Sequence, residues 1–265
     1  MRPTRSYLIC TTPRSGSWLL ADGLRRTGVA GRPEEYLRTD WLLRYQNVGT
    51  LRYEHRLLGL GPIPPTPGIA DFLSAVLEIG TTVNGVFGAK VHQDQFAATV
   101  AAANSSVDGV PAGAGTDVEF IRAWLPRPRF VHLARRDRVR QALSHYRARR
   151  TGRWVRHDDI PDQAIPVDFT EIDALIGRSV ARDIAWEDFF QRLGVIPIRV
   201  VYEELAADYQ RVVRDVLSAL DLPVLPVPVP QLRVQADSWT AAQVSAYEER
   251  KARLASPSSA SNDSV

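Results

Sequence analysis

The sequence predicts an α/β fold, a parallel central β-sheet flanked by helices, and three observations carry that expectation. Short runs rich in apolar, β-branched and aromatic residues, at 7–10, 86–92, 129–134 and 197–202, alternate with longer stretches whose apolar residues recur at helical spacing. Glycine, proline and polar residues punctuate the junctions between the two patterns. Strand, loop and helix in alternation are what a parallel sheet with right-handed crossovers requires. With 265 residues the chain can bury a sizeable core. We expect one domain over 1–255 and a disordered tail over 256–265, which is serine-rich and apolar-poor.

The first strand is Tyr7 to Cys10, and Trp18 to Leu24 carries an apolar helical face, so Pro13 to Ser17 joins a strand end to a helix start. That junction suits an anion. The first N–H groups of a helix lack internal partners and lie at the positive end of its dipole, and Gly16 lets the backbone approach closely. Arg14 adds a planar fork for two phosphate or sulfate oxygens, and the Ser15 and Ser17 hydroxyls are further donors. The plain alternative is a turn with a serine N-cap. The stretch is not a Walker A loop, because Arg precedes Gly16 and Trp18 follows Ser17 where that pattern needs lysine and a hydroxyl residue after its second glycine.

Gly28 stops the first helix, and Pro33 stiffens a turn that leads into Glu34 and Glu35. Residues 41–60 are mixed in character and compatible with a helix, and the proline-rich 61–68 reads as a loop. Phe72, Leu73, Val76 and Leu77 form a helical stripe stopped by Gly80. Val86 to His92 is the second strand, ending in the polar residues His92, Gln93, Asp94 and Gln95, a place to look for chemistry because open α/β sheets gather ligands at strand ends. A helix over 96–103 and a loop over 104–115 follow. Arg129 to Ala134 is the third strand, and Arg135-Arg136-Asp137 opens a basic helix to about Arg150, with Val139, Ala142, Leu143 and Tyr146 as its buried stripe. A long amphipathic helix covers 172–193, a fourth strand 197–202, another helix 209–220, and a Pro-Val-Leu connector 223–230.

The net charge of +3 rests on arginine, since Lys90 and Lys251 are the only lysines, and it fits an anionic small molecule better than a nucleic-acid surface. The lone Cys10 excludes an intramolecular disulfide and reads as a core thiol, which makes redox and metal roles poor expectations. No signal-peptide pattern and no run of ~18 apolar residues is present, so a soluble, cytoplasmic protein without membrane insertion is expected.

Pro13-Arg14-Ser15-Gly16-Ser17 resembles the 5′-phosphosulfate loop of sulfotransferases, and Arg135 with Ser144 on the following helix resembles their 3′-phosphate signature. With Thr27-Gly-Val-Ala-Gly-Arg-Pro-Glu-Glu35, Asn84-Gly-Val-Phe-Gly-Ala-Lys90, Arg135-Arg-Asp137 followed by Gln141-Ala-Leu-Ser144, Thr151 to Trp154 and Gln235-Ala-Asp237, the chain resembles the trehalose 2-sulfotransferase family from about Tyr7 to Tyr247. The resemblance implies 3′-phosphoadenosine-5′-phosphosulfate as cosubstrate, 3′,5′-diphosphoadenosine as product, a small-molecule hydroxyl acceptor, no metal and often a homodimer. It implies Arg14, Ser15, Gly16 and Ser17 as the 5′-phosphate and sulfuryl cradle, with Trp18 next to them in the donor site, Arg135 and Ser144 as the 3′-phosphate clamp with Arg136 as rival, and Glu35 as the base. Three positions depart from the family pattern: Trp18 replaces a small hydroxyl residue, Arg32 an acidic one, and Val234 a basic one whose contact Arg233 would recover.

Two candidates compete for the base. Lys90-Val91-His92 resembles the Lys-Thr-His strand of cytosolic sulfotransferases, where histidine is the base, and histidine titrates near neutrality without help. The whole-chain resemblance favours Glu35, with burial raising its pKa toward the working range, Glu34 its solvated neighbour, and His92 orienting the acceptor. His132, inside an apolar strand, reads as a core histidine, and Tyr202-Glu203-Glu204-Leu205 as structural. The expected reaction is in-line transfer of a sulfuryl group to an alcohol of a carbohydrate, glycolipid or other polar natural product. The alternative is a catalytically impaired binding module for a phosphorylated or sulfated nucleotide-type ligand.

Overall fold

The computed structural model describes residues 2–38, 69–105, 115–154, 165–230 and 238–255. The stretches 41–60 and 61–68, the tail 256–265 and Arg233 lie outside the described residues. Four parallel strands, β1 (Arg5–Thr11), β2 (Val86–His92), β3 (Pro128–Ala134) and β4 (Ile198–Val201), form one sheet in the order β2-β1-β3-β4. The expected parallel α/β architecture is therefore what the chain adopts.

The central strand shows why. Tyr7, Leu8, Ile9 and Cys10 are all buried, as a near-continuous apolar run must be when both faces of a parallel sheet are covered. Leu8 and Cys10 face one core cluster and Tyr7 and Ile9 the other, the alternation a pleated strand imposes. The first cluster is filled from α2 (Ile69–Gly80), α3 (Gln93–Ser105), α4 (Asp117–Trp124) and the C-terminal part of α6 (Phe169–Leu193). The second is filled from α1 (Ser17–Arg26) and, after the short α7 (Tyr202–Ala207), α8 (Tyr209–Ala219). Cys10 is 0% exposed and burial pushes its thiol pKa up, which makes it the core thiol expected.

Residues 1–136 with 179–232 make one compact unit, and 137–178 with 233–265 another. The second unit contains α5 (Arg138–Thr151), the start of α6 and α9 (Ser238–Ala255), packed through Ala142, Leu143, Tyr146, Ile172, Leu175 and Tyr247.

Local expectations and structure part at a few points. Arg135 and Arg136 precede α5 rather than open it, because the Asp137 carboxylate accepts from the Arg140 N–H and caps the helix there. Helix α4 follows the expected loop, in a stretch between 115 and 129 for which no element was predicted, although Thr116 and Glu119 form a capping box visible in the sequence. Helix α3 starts at Gln93, directly at the end of β2, and Tyr202 begins α7 instead of finishing β4. Helix α9 was not expected. Among the described residues no helix is long and apolar enough to cross a membrane.

Candidate active site

From β1 the chain crosses to β2 on one side, whereas β3 and β4 lie on the other, so the carboxyl ends of β1 and β3 flank a switch point of the sheet. Ligands of open α/β sheets gather there. Arg14 lies in the loop after β1, and Arg135 directly follows β3.

The loop holds a strained shape. Arg14 has φ 64° and Gly16 φ 84°, left-handed values that a side-chain-bearing residue adopts at a cost and glycine adopts freely. A Cβ on Gly16 would lie 2.3 Å from Tyr202 Cδ2, so the loop also needs glycine for space. The Gly16 carbonyl accepts from the N–H groups of Leu19 and Leu20, starting α1. Beneath the loop, Thr11 Oγ1 donates to the Leu133 carbonyl at 2.9 Å and hydrogen-bonds with Ser15 Oγ, while Trp186 Nε1 donates to the Thr11 carbonyl at 3.0 Å. The Ser15 hydroxyl is thus turned into the base of the loop rather than outward as an anion donor. Ser17, the first residue of α1, is 6% exposed.

Arg135 reaches this loop from the end of β3. Arg135 Nη1 donates to the Arg14 carbonyl at 3.2 Å, and the Arg135 guanidinium stacks on the Tyr202 ring, 4.4 Å from its centroid. Burial first, and then the charge of Arg135, pushes the Arg14 pKa down to about 10. A bound anion would offset both effects. Arg136 is turned away: its side chain meets Glu204 at 2.5 Å on the surface, and its N–H donates to Glu203. Tyr202, which contacts both the glycine and Arg135, was read from the sequence as structural. Its place at the end of the fourth predicted strand was the available signal. Ser144 is half-buried on α5 in the second unit.

The second group of side chains gathers at the end of β2. Gly31, with φ 67°, lets the chain run so close to Gly88 that a Cβ would lie 2.4 Å from its backbone nitrogen. Glu34 then bridges to Ala89, and the Lys90 N–H donates to the Glu34 carbonyl at 2.9 Å. This pairing delivers Glu35 to the strand end. Lys90 Nζ lies 2.6 Å and His92 Nε2 3.6 Å from Glu35 Oε2, and Gln95 Nε2 donates to Oε1 at 2.7 Å. Gln95 also accepts from the His92 N–H. The Trp18 ring lies 4.6 Å from the Lys90 ammonium.

Two expectations are corrected here. Burial would raise the Glu35 pKa, but Lys90 and His92 outweigh it and hold the carboxylate well below its ordinary range. Glu34 is not solvated: it is 4% exposed, and burial raises its pKa to about 7 against the opposing charges of Lys90 and Arg25. The exposed Arg32 donates to the Ile79 carbonyl. His132 is buried against Glu187 and Asp183, as a core histidine. Among the described residues no cluster of His, Cys, Asp and Glu is arranged to hold a metal ion.

The parallel sheet carries a glycine loop and two arginines at its switch point, and the chain is a sulfotransferase. It belongs to the Stf0 sulphotransferase family, which matches residues 6–250. It is 30% identical to a trehalose 2-sulfotransferase of Mycobacterium tuberculosis (strain ATCC 35801 / TMC 107 / Erdman) over 272 residues, covering 97% of this chain and 99% of that protein. A trehalose 2-sulfotransferase of Mycolicibacterium smegmatis (strain ATCC 700084 / mc(2)155) is also 30% identical, over 91% of this chain and 94% of that protein. A sulfotransferase structure from Alicyclobacillus acidocaldarius covers 96% of this chain and 94% of its own at 14% identity and TM-score 0.46, too loose a likeness to match residues.

Proposed function

We propose that the chain transfers a sulfuryl group from 3′-phosphoadenosine-5′-phosphosulfate to a hydroxyl of a polar acceptor, a carbohydrate such as trehalose being the first to test. The observation that carries this reading is the convergence of Arg14 and Arg135 on the Gly16 loop, one strand away from Glu35, Lys90 and His92. Two neighbouring arginines at a glycine turn before a helix suit a dianionic donor.

The donor supplies an activated sulfuryl group. The acceptor oxygen forms the new S–O bond as the bond from sulfur to the leaving phosphate oxygen breaks, and the acceptor proton passes to a protein base. Arg14 and the first N–H groups of α1 would stabilise the charge that grows on the leaving phosphate, an interaction stronger in the transition state than before it. Glu35 would take the proton, with His92 orienting the acceptor hydroxyl. Arg135 would hold the 3′-phosphate, and the part of Ser144 in that clamp is carried by the family resemblance alone.

The test is calorimetry with 3′,5′-diphosphoadenosine against AMP, ADP and ATP, followed by transfer of ³⁵S label from the donor to trehalose and other alcohols. Preference for the diphosphate with label transfer supports the reading; equal binding of all four nucleotides would sink the donor assignment. A second reading, a binding module without turnover, is favoured by the Lys90–Glu35 ion pair, which leaves the carboxylate a weak base. Tight diphosphate binding with no transfer to any alcohol would establish it.

A further inference from the structure

Trp18 occupies the second position of α1, in the loop-to-helix junction assigned above to the donor, yet its indole face meets a residue of the neighbouring strand. Lys90 is 1% exposed, and an ammonium withdrawn from water needs compensating partners. The Glu35 carboxylate supplies one at 2.6 Å, and the negative face of the indole another at 4.6 Å from the ring centroid. We propose that Trp18 is a positioning residue that holds the Lys90 ammonium against the Glu35 carboxylate and so ties the first turn of α1 to the acid–base cluster at the end of β2. The inference rests on reading Glu35, Lys90 and His92 as that cluster.

The groups around Glu35 define what the indole can influence. Lys90 and His92 face it from β2 and Gln95 from α3, while Glu34 precedes it on its own segment and itself faces Arg25 and Asp22 of α1. Lys90 is the member of this set in contact with Trp18. A long, flexible ammonium side chain released from the ring would sample more positions, and its mean attraction for the carboxylate would fall. Trp18 therefore acts on the base through Lys90.

The test needs neither donor nor acceptor. Glutamate labelled with ¹³C at the side-chain carboxyl is followed by NMR through a pH titration of the full chain, with Glu35→Gln identifying the Glu35 resonance. In Trp18→Leu the Glu35 midpoint should rise by about half a pH unit or more, and in Trp18→Phe by less, because phenylalanine is the weaker cation-binding ring. In a Lys90→Met background the midpoint should already be raised, and Trp18→Leu should then add nothing. An unchanged midpoint in Trp18→Leu overturns the proposal, and so does an equal shift with and without Lys90. Should Trp18→Leu not fold, Trp18→Phe with and without Lys90→Met decides the question in the same way. A chain that shows the graded shift but does not bind 3′,5′-diphosphoadenosine would lose the donor assignment while keeping the role of Trp18.

Discussion

Arg135 donates a hydrogen bond to the backbone carbonyl of Arg14 at 3.2 Å, and its charge helps push the Arg14 pKa down to about 10. Two cations close together at a glycine loop disfavour each other's charge, and an anionic donor would offset that. Charge-assisted contacts of this kind are worth ~1.5–3 kcal/mol, so Arg135→Ala should weaken 3′,5′-diphosphoadenosine binding by at least about tenfold. Arg136→Ala should cost less than about threefold, because its side chain is engaged by Glu204 at the surface. Calorimetry on the two variants checks this, and the reverse order would shift the clamp by one residue.

Gly16→Ala should cost donor affinity about tenfold or more. The new Cβ would meet the Tyr202 ring at 2.3 Å in a backbone conformation of φ 84°. Tyr202→Ala should relieve the collision but not the backbone strain, which is on the order of 1–3 kcal/mol. The double variant should therefore recover only part of the lost affinity, and full recovery would show that space alone requires the glycine.

Glu35→Gln should keep donor affinity and lower kcat by ~10²–10⁴, the usual contribution of a general base. His92→Ala should mainly raise the acceptor KM. If Glu35→Gln keeps a near-native kcat while His92→Ala abolishes it, the base is His92. Because the Glu35 pKa is lowered by Lys90 and His92, the acid limb of the kcat profile should lie below the ordinary carboxylate range, and Lys90→Met should move it to higher pH.

The adjacent carboxylates should affect stability with opposite signs. Glu34 has a folded pKa of about 7, above its ordinary 4.5, so between these values the folded chain holds a proton that the unfolded chain releases. Its contribution therefore falls as pH rises through that window. Glu35, with a lowered folded pKa, contributes stability above its ordinary range that is lost as pH falls through the folded value. Glu34→Gln should flatten the decline between pH 4.5 and 7 and stabilise the chain at pH 8 by on the order of 2–3 kcal/mol in urea denaturation. An undiminished decline in that variant would assign it to another group.

By itself, the sequence determined the alternation of strands and helices, the loop between β1 and α1, and the placing of an arginine directly after β3. These features are written locally, in periodicity, caps and glycine positions, and a short window suffices to read them. The helix α4 was equally local, in Thr116 and Glu119, and went unread. Only the tertiary structure decided which of two neighbouring carboxylates is buried and which is paired. The bridge of Glu34 to Ala89 hides one and delivers the other to Lys90, and no local pattern encodes a partner more than fifty residues away. Tertiary structure likewise turned Arg135 onto Tyr202 and Arg136 onto Glu204, although the two arginines are consecutive. It also set the indole of Trp18 beside Lys90. A charge takes its pKa and its partners from every element packed around it, so those properties exist only once the sheet has brought distant strands side by side.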